Sequence, residues 1–162
     1  MLKGLKPIIS VEPKVLILGS MPSVTSLDKQ EYYGYKQNRF WRIMEDIFQE
    51  PITSYEQKKE LIITHHIVLW DVIGECERVG SLDSNIKNEV VNDIARLLAD
   101  FSSIEQVVCN GKKSYDLYLK HFSSLQVPCV YLPSTSNANR SIKEEILFKQ
   151  WKTALSYLNR KE

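Results

Sequence analysis

Four short apolar runs, each separated from the next by a stretch with helical periodicity, constrain this chain more than any other feature. They are KVLILGS (14–20), HIVLWDVI (66–73), IEQVVCNG (104–111) and VPCVYLP (127–133). Runs of this length without polar alternation are the pattern of strands covered on both faces, as parallel sheets require. Between the first two, Phe40, Ile43, Met44 and Ile47 recur at i, i+3, i+4, i+7, with Trp41 and Phe48 widening the stripe and Pro51 stopping it. Ser54 with Gln57 forms a capping box for a second helix reaching about His65. Asn92 stands where it would cap a helix carrying Ile94, Leu97, Leu98 and Phe101, and Tyr115, Tyr118, Leu119 and Phe122 mark another. The last helix is expected to open at a capping box, Ser141 with Glu144, and to turn Leu147, Trp151, Ala154, Leu155 and Leu158 inward. The segment GECERVGSLDSNIKN reads as one long polar loop. Alternation of this kind makes an α/β sheet, mostly parallel, with helices on both faces.

A chain of 162 residues with 43% hydrophobic content can bury one core, so a single domain over 1–162 is expected. The apolar runs fall far short of the roughly 18 residues of a membrane span. Residues 1–12 lack a signal-peptide pattern, so a cytoplasmic, membrane-free setting is expected. Cys76, Cys109 and Cys129 are odd in number, and no CxxC or HxxxH pair occurs. That pattern excludes a disulfide framework and offers no zinc or iron–sulfur ligand set, so neither metal nor cofactor is expected.

In open parallel sheets, ligands bind outside the carboxyl ends of the strands. The segments that would lie there are GSMPS (19–23) with YYGYKQNRFW (32–41), WDVIGECER, CNGKK (109–113) and LPSTSNANR (132–140). They contain no G-x-G-x-x-G, no Walker A lysine and no G-x-S-x-G elbow, which argues against dinucleotide, nucleoside-triphosphate and serine-hydrolase chemistry. Three of the four lack paired carboxylates, against two-carboxylate glycosidase chemistry. Their Asn, Ser, Thr, Tyr, Lys and Arg suit a site that grips phosphates and stacks or hydrogen-bonds a base.

The formal net charge of +1, from 21 basic and 20 acidic residues, looks wrong for a nucleic-acid binder. Position changes that reading. The acid-free windows 33–42, 108–115 and 132–143 hold Lys36, Arg39, Arg42, Lys112, Lys113, Arg140 and Lys143, leaving 14 basic against 20 acidic residues elsewhere. Either these are solvated faces clustered by chance, or they rim one end of the sheet as the footprint of a phosphate-backbone binder.

The segments GSMPSVTS, YYGYKQNRFW, LWDVIGECERVGSLDSNI, NDI, NGKKSY and LPSTSNAN closely resemble the hypoxanthine-DNA (deoxyinosine) glycosylase family of the uracil-DNA glycosylase superfamily. The likeness runs in order from about residue 14 to 158. It implies a three-layer α/β/α fold around a four-stranded parallel sheet of order 2-1-3-4. It also implies a monofunctional DNA glycosylase that flips deoxyinosine out of DNA and uses water to release hypoxanthine. The expected partner is DNA containing deaminated bases, bound by a monomer. A uracil or mismatch glycosylase on the same fold, or a non-catalytic lesion-binding module, are the alternatives.

The resemblance also assigns residues. Superfamily relatives usually carry Asp or Asn after the first strand, where this chain has Met21, which cannot orient water. The hypoxanthine family gives that role to the Asn of N-R-F-W, here Asn38, whose amide carbonyl could orient the attacking water. Asn38 also stands where a helix N-cap belongs. Tyr33 sits where relatives stack a ring on the extruded base, although simple core packing beside Tyr32 and Tyr35 is equally open. Met21, Phe40 and Asn110 are grouped with it for base stacking and recognition; Asn110 could read a base edge or merely make the turn before Gly111. Pro133 to Asn139 correspond to the motif that grips the DNA backbone and fills the gap left by the base, with Asn137 where the family usually has Pro. Backbone and wedge contacts are therefore expected from Ser134, Thr135, Ser136, Asn137, Asn139 and Arg140, with Ser23 and Lys112 alongside. Asp71 is the one acid near the expected site, and a structural hydrogen bond is the role foreseen for it.

Overall fold

The structure, a computed structural model, describes residues 1–159. Two brief strands, β1 (Leu2–Lys3) and β2 (Ile8–Ile9), precede the first apolar run, which forms β3 (Val15–Gly19). Then come α1 (Val24–Lys29), α2 (Phe40–Phe48), α3 (Tyr55–Thr64) and β4 (Ile67–Asp71). A hairpin of β5 (Ile73–Glu77) and β6 (Lys87–Val91) leads to α4 (Ile94–Asp100) and β7 (Gln106–Asn110). The chain closes with α5 (Lys112–Phe122), β8 (Cys129–Leu132) and α6 (Glu144–Leu155).

The main sheet has the order β2-β4-β3-β7-β8. Its four longer strands are parallel and follow the expected 2-1-3-4 order. The expected count of four is corrected to five by β2, which pairs antiparallel with β4 at the edge. A second sheet, β1-β5-β6, is antiparallel and takes up both ends of the segment expected to be a polar loop. The hairpin escaped notice because its register shifts twice, so that buried Ile73 and Cys76 lie three residues apart rather than two.

The pleat divides the core. Val15 and Ile17 face α2 and α6, in a cluster with Phe40, Ile43 and Trp151, whereas Leu16 and Leu18 face the opposite layer with Ile94, Leu97 and Leu117. Cys109 and Cys129, on neighbouring strands, bring their sulfurs to 3.3 Å as free thiols.

The caps refine the helix starts. Ser54 accepts from the Gln57 amide as expected, but the Gln57 side chain reaches Thr53 rather than Ser54. Asp93, not Asn92, caps α4; Asn92 instead donates to the Asp71 carbonyl and ties the hairpin to β4. Ser141 does not cap α6: its hydroxyl bonds Asn139, and the helix begins two residues past Ile142 with Glu144 and Glu145 at its positive end. Among the described residues no helix is long and apolar enough to cross a membrane.

Strand register places the chemistry. Gly19 of β3 pairs with Asp71 of β4, and Asn110 of β7 with Leu132 of β8, so the carboxyl ends of the four parallel strands finish nearly level. The loops that leave them meet at one end of the sheet.

Candidate active site

The N-R-F-W segment enters α2 with Phe40 fully buried. The Asn38 Oδ1 accepts from the Phe40 amide at 2.9 Å and from the Thr135 hydroxyl at 2.9 Å. Thr135 is buried, and its oxygen accepts in turn from Asn110 Nδ2 at 3.0 Å, while its amide donates to Asn110 Oδ1 at 3.0 Å. Asn110 Nδ2 also donates to the Tyr33 hydroxyl at 3.2 Å. Asn38, Thr135, Asn110 and Tyr33 thus form one connected network joining the loop before α2 and the loop after β8 to the end of β7. Networks of this kind, shielded from water, fix side-chain orientation.

Tyr33 is held in the left-handed backbone region, φ 51°, which costs a bulky residue on the order of 1–3 kcal/mol. Its ring stacks on Phe40 with centroids 4.1 Å apart. Burial, followed by the nearby Asp71 carboxylate, raises its hydroxyl pKa far above the ordinary tyrosine value.

Asp71 is the exception in this satisfied environment. Its Oδ2 is buried with no hydrogen-bond partner. Burial raises its pKa to about 7; Asp83 adds to the rise and Arg78 opposes it. The carboxyl lies against Gly19, where an added Cβ would collide with Asp71 Oδ1 and stand 3.0 Å from the Tyr33 hydroxyl. Gly19→Ala is therefore expected to lower stability by about 1–3 kcal/mol and to displace both groups, measurable as a lowered Tm together with slower base release.

Several expected roles change. Phe40 is sealed inside the core and backs the Tyr33 ring instead of meeting a base. Met21 turns into the core behind β3, its sulfur near Gly4. Asn110 has both amide hydrogens engaged, leaving one acceptor position on Oδ1 as its only free capacity toward a base edge. Thr135 is too buried for a phosphate contact. Ser23 is committed to capping α1 through the Ser26 amide. Asp71 lacks the structural hydrogen bond foreseen for its side chain; its backbone carbonyl has one instead, from Asn92.

The 133–140 loop is braced from within. Ser134 Oγ accepts from the Ser136 amide, Asn139 Nδ2 donates to the Ser134 carbonyl, and Ser136 Oγ accepts from the Ala138 amide. Asn137 is half-buried, and Arg140 and Lys112 are exposed. The residue that sequence reasoning missed is Arg39. Counted there among the rim cations, it is buried and donates to the carbonyls of Thr135, Ser136 and Asn139. Desolvation lowers its pKa from the usual arginine value. Nothing in the local pattern marks this, because its partners lie about a hundred residues away. Arg39→Met would remove three hydrogen bonds and leave the Asn139 carbonyl without its donor, while backbone amides still serve the Thr135 and Ser136 carbonyls; we expect a loss of about 2 kcal/mol and faster proteolysis within 133–140, read by denaturation and limited digestion.

Arg42 also leaves the rim, paired with Glu144 at 2.7 Å on the surface. In the three basic windows, Lys36, Lys112, Arg140 and Lys143 are exposed and Lys113 is half-buried. With no more than five such cations contacting phosphate, log affinity for DNA is expected to fall with log salt at a slope no steeper than about −4.5, a value a salt titration reads directly.

Residues 7–157 match the model of the Uracil DNA glycosylase superfamily. The hypoxanthine DNA glycosylase of Methanosarcina barkeri is 35% identical over 140 residues, 85% of this chain and 88% of that one. The protein of the same name from Methanosarcina acetivorans is 34% identical over the same shares. The solution NMR structure of a candidate uracil DNA glycosylase from Methanosarcina acetivorans superposes with a TM-score of 0.86, at 31% identity and 98% coverage of both chains. The chain belongs to the uracil-DNA glycosylase superfamily and, within it, to the hypoxanthine-DNA glycosylase family. It is a DNA glycosylase, and DNA is its partner.

Proposed function

We propose that this chain, acting as a monomer, hydrolyses the N-glycosidic bond of deoxyinosine in DNA and releases hypoxanthine without cutting the strand. The observation that carries this reading is the network running from Asn38 through Thr135 and Asn110 to Tyr33, set beside an uncommitted carboxyl at Asp71. The names of the two curated relatives support the choice of base.

Extruding the nucleotide costs a few kcal/mol, least at a mispaired base such as hypoxanthine. The Tyr33 ring, backed by Phe40, then offers its open side to the purine. Both Oδ1 lone pairs of Asn38 are taken in the structure, one by the rigid Phe40 amide and one by the rotatable Thr135 hydroxyl. Thr135 is the group that yields: turning its proton away frees one lone pair for a water. A correctly placed water suffices, because the glycosidic bond breaks through an oxocarbenium-like state in which the nucleophile need be only weakly activated. Asp71, near half-protonation at neutral pH, matches the lactam edge of hypoxanthine: its O–H donates to O6 while its carbonyl accepts from N1–H. The exposed cations at the rim hold flanking phosphates.

Duplex oligonucleotides carrying one inosine, one uracil or one mismatched thymine, incubated with the protein and then treated with alkali, test the choice of base. Breaks chiefly at inosine are expected. Breaks chiefly at uracil would transfer the reading to uracil excision, and specific binding without breaks would make the chain a lesion-binding module.

A further inference from the structure

Cys109 of β7 and Cys129 of β8 are free thiols whose sulfurs stand 3.3 Å apart. Both turn toward α5, where they pack with Leu117, Tyr118 and Phe122 on the side of the sheet opposite α2 and α6. Cys129 stands opposite Val107 in the ladder, two residues before Cys109, so the thiols meet diagonally. The third cysteine, Cys76, belongs to β5 of the other sheet.

The two thiols are not equivalent. Cys109 is fully buried, whereas Cys129 is half-buried at the start of β8, just past the largely exposed stretch 123–128. Their shared hydrogen bond lowers the pKa of the Cys129 thiol and, together with burial, raises that of Cys109. A thiolate is the form that attacks an oxidant, so Cys129 is the reactive partner and Cys109 is placed to resolve its product. A spare donor lies beside the pair. The Tyr118 hydroxyl is buried without a hydrogen-bond partner, near enough to both sulfurs for their charge to add to the effect of burial in raising its pKa.

The pair is also joined to the active site. Cys109 directly precedes Asn110, whose side chain holds the amide and hydroxyl of Thr135 and the Tyr33 hydroxyl. β8 runs from Cys129 to Leu132 and on into the 133–140 loop. A disulfide needs these sulfurs about 1.2 Å closer, and a diagonal pair closes that distance by sliding one strand along the other. β8 is the edge strand, bonded in the sheet to β7 alone, so β8 slides and carries Thr135 with it.

We propose that Cys109 and Cys129 form an oxidation site at which hydrogen peroxide joins the two thiols as a disulfide, and that this bond slows base release by displacing Thr135 from Asn110. The Cys129 thiolate attacks one peroxide oxygen, the O–O bond breaks, and the other oxygen leaves as water, giving a sulfenic acid. Tyr118 donates to the sulfenic oxygen. The Cys109 sulfur then attacks the Cys129 sulfur, the S–O bond breaks, and the oxygen leaves as a second water with the Cys109 proton. Two thiols are thus oxidised to one disulfide as one peroxide is reduced to two waters. The inference rests on the proposed glycosylase reading for the activity that is slowed, not for the chemistry at sulfur.

The test treats the protein with excess hydrogen peroxide, blocks remaining thiols with N-ethylmaleimide, and maps an unreduced digest by mass spectrometry. Single-turnover release of hypoxanthine is measured before and after treatment. A peptide pair linked through Cys109 and Cys129 is expected, with release slowed about tenfold or more and restored by dithiothreitol. Cys129→Ala should keep its untreated rate through the peroxide step, and Cys109→Ala should stop at a Cys129 sulfenic acid that dimedone traps. Absence of the linked peptides from treated, folded wild type overturns the proposal, as does linkage without slower release or equal slowing in Cys129→Ala. Should untreated wild type release no hypoxanthine, the glycosylase reading fails, and the NMR resonance of the Asn110 side-chain amide still decides this one. A shift on disulfide formation supports the coupling, and an unmoved resonance overturns it.

Discussion

Asn38→Ala lowers single-turnover release of hypoxanthine by about a hundredfold or more, the scale expected when a reacting water loses its positioning group. Two effects are superimposed at this residue. Its Oδ1 serves the first exposed amide of α2, and it also ends the network that begins at Tyr33. The N-cap of α2 is Arg39, not Asn38 as expected, but Asn38 still holds the Phe40 amide from one residue earlier, and losing that bond costs about 1 kcal/mol, which a denaturation curve detects without unfolding the protein. Asn38→Ser separates the two. A serine hydroxyl can still accept from that amide, but its shorter side chain does not reach the position of Oδ1, so stability should recover while release stays slow. If both variants fold and release base at the wild-type rate, Asn38 serves the start of α2 and nothing more.

The second large effect is on stability and follows from Asp71. A carboxyl whose pKa lies near 7 in the folded state and near 4 when unfolded keeps a proton in the fold that the unfolded chain has already lost. Stability therefore declines as pH rises from about 4 to about 7, and the decline is complete above that window. The groups that set this balance are Asp83, which opposes ionisation, and Arg78, which favours it, with the hydroxyls of Tyr32 and Tyr33 nearby. At about 1.4 kcal/mol per pKa unit, the penalty at pH 8 is on the order of 2–4 kcal/mol. Asp71→Asn removes it. Urea denaturation should find variant and wild type similar near pH 4.5 and the variant more stable by a few kcal/mol at pH 8. Curves that stay parallel across this range would mean that the carboxyl is solvated in the folded protein.

Elements whose signal is local were legible in the sequence. The four parallel strands show as continuous apolar runs because both faces are covered, and α2 shows its stripe from Phe40 to Phe48. The β5–β6 hairpin did not, because its bulged register breaks the period-2 pattern and its turn looks like any polar loop. At the site, the motif positions Tyr33, Asn38 and Thr135 were identified by the resemblance, and the structure brings them together. Their division of labour was not legible. Whether Asn110 faces a base or Thr135 and whether Arg39 meets phosphate or three carbonyls depend on partners 25 to 100 residues away in sequence. Whether Phe40 meets a ligand or backs Tyr33 depends on the path of the loop between them. The balanced net charge was similarly uninformative until position was considered, and the structure then removed Arg39 and Arg42 from the rim.

The proposed reaction is hydrolysis of one N-glycosidic bond by a positioned water. Its most direct test incubates the protein with an inosine-containing duplex and analyses the products by mass spectrometry before any alkali is added. Free hypoxanthine is expected, in amounts equal to an intact strand bearing one abasic site. A strand cut at the lesion without alkali, or a bound duplex from which no base is released, would contradict it.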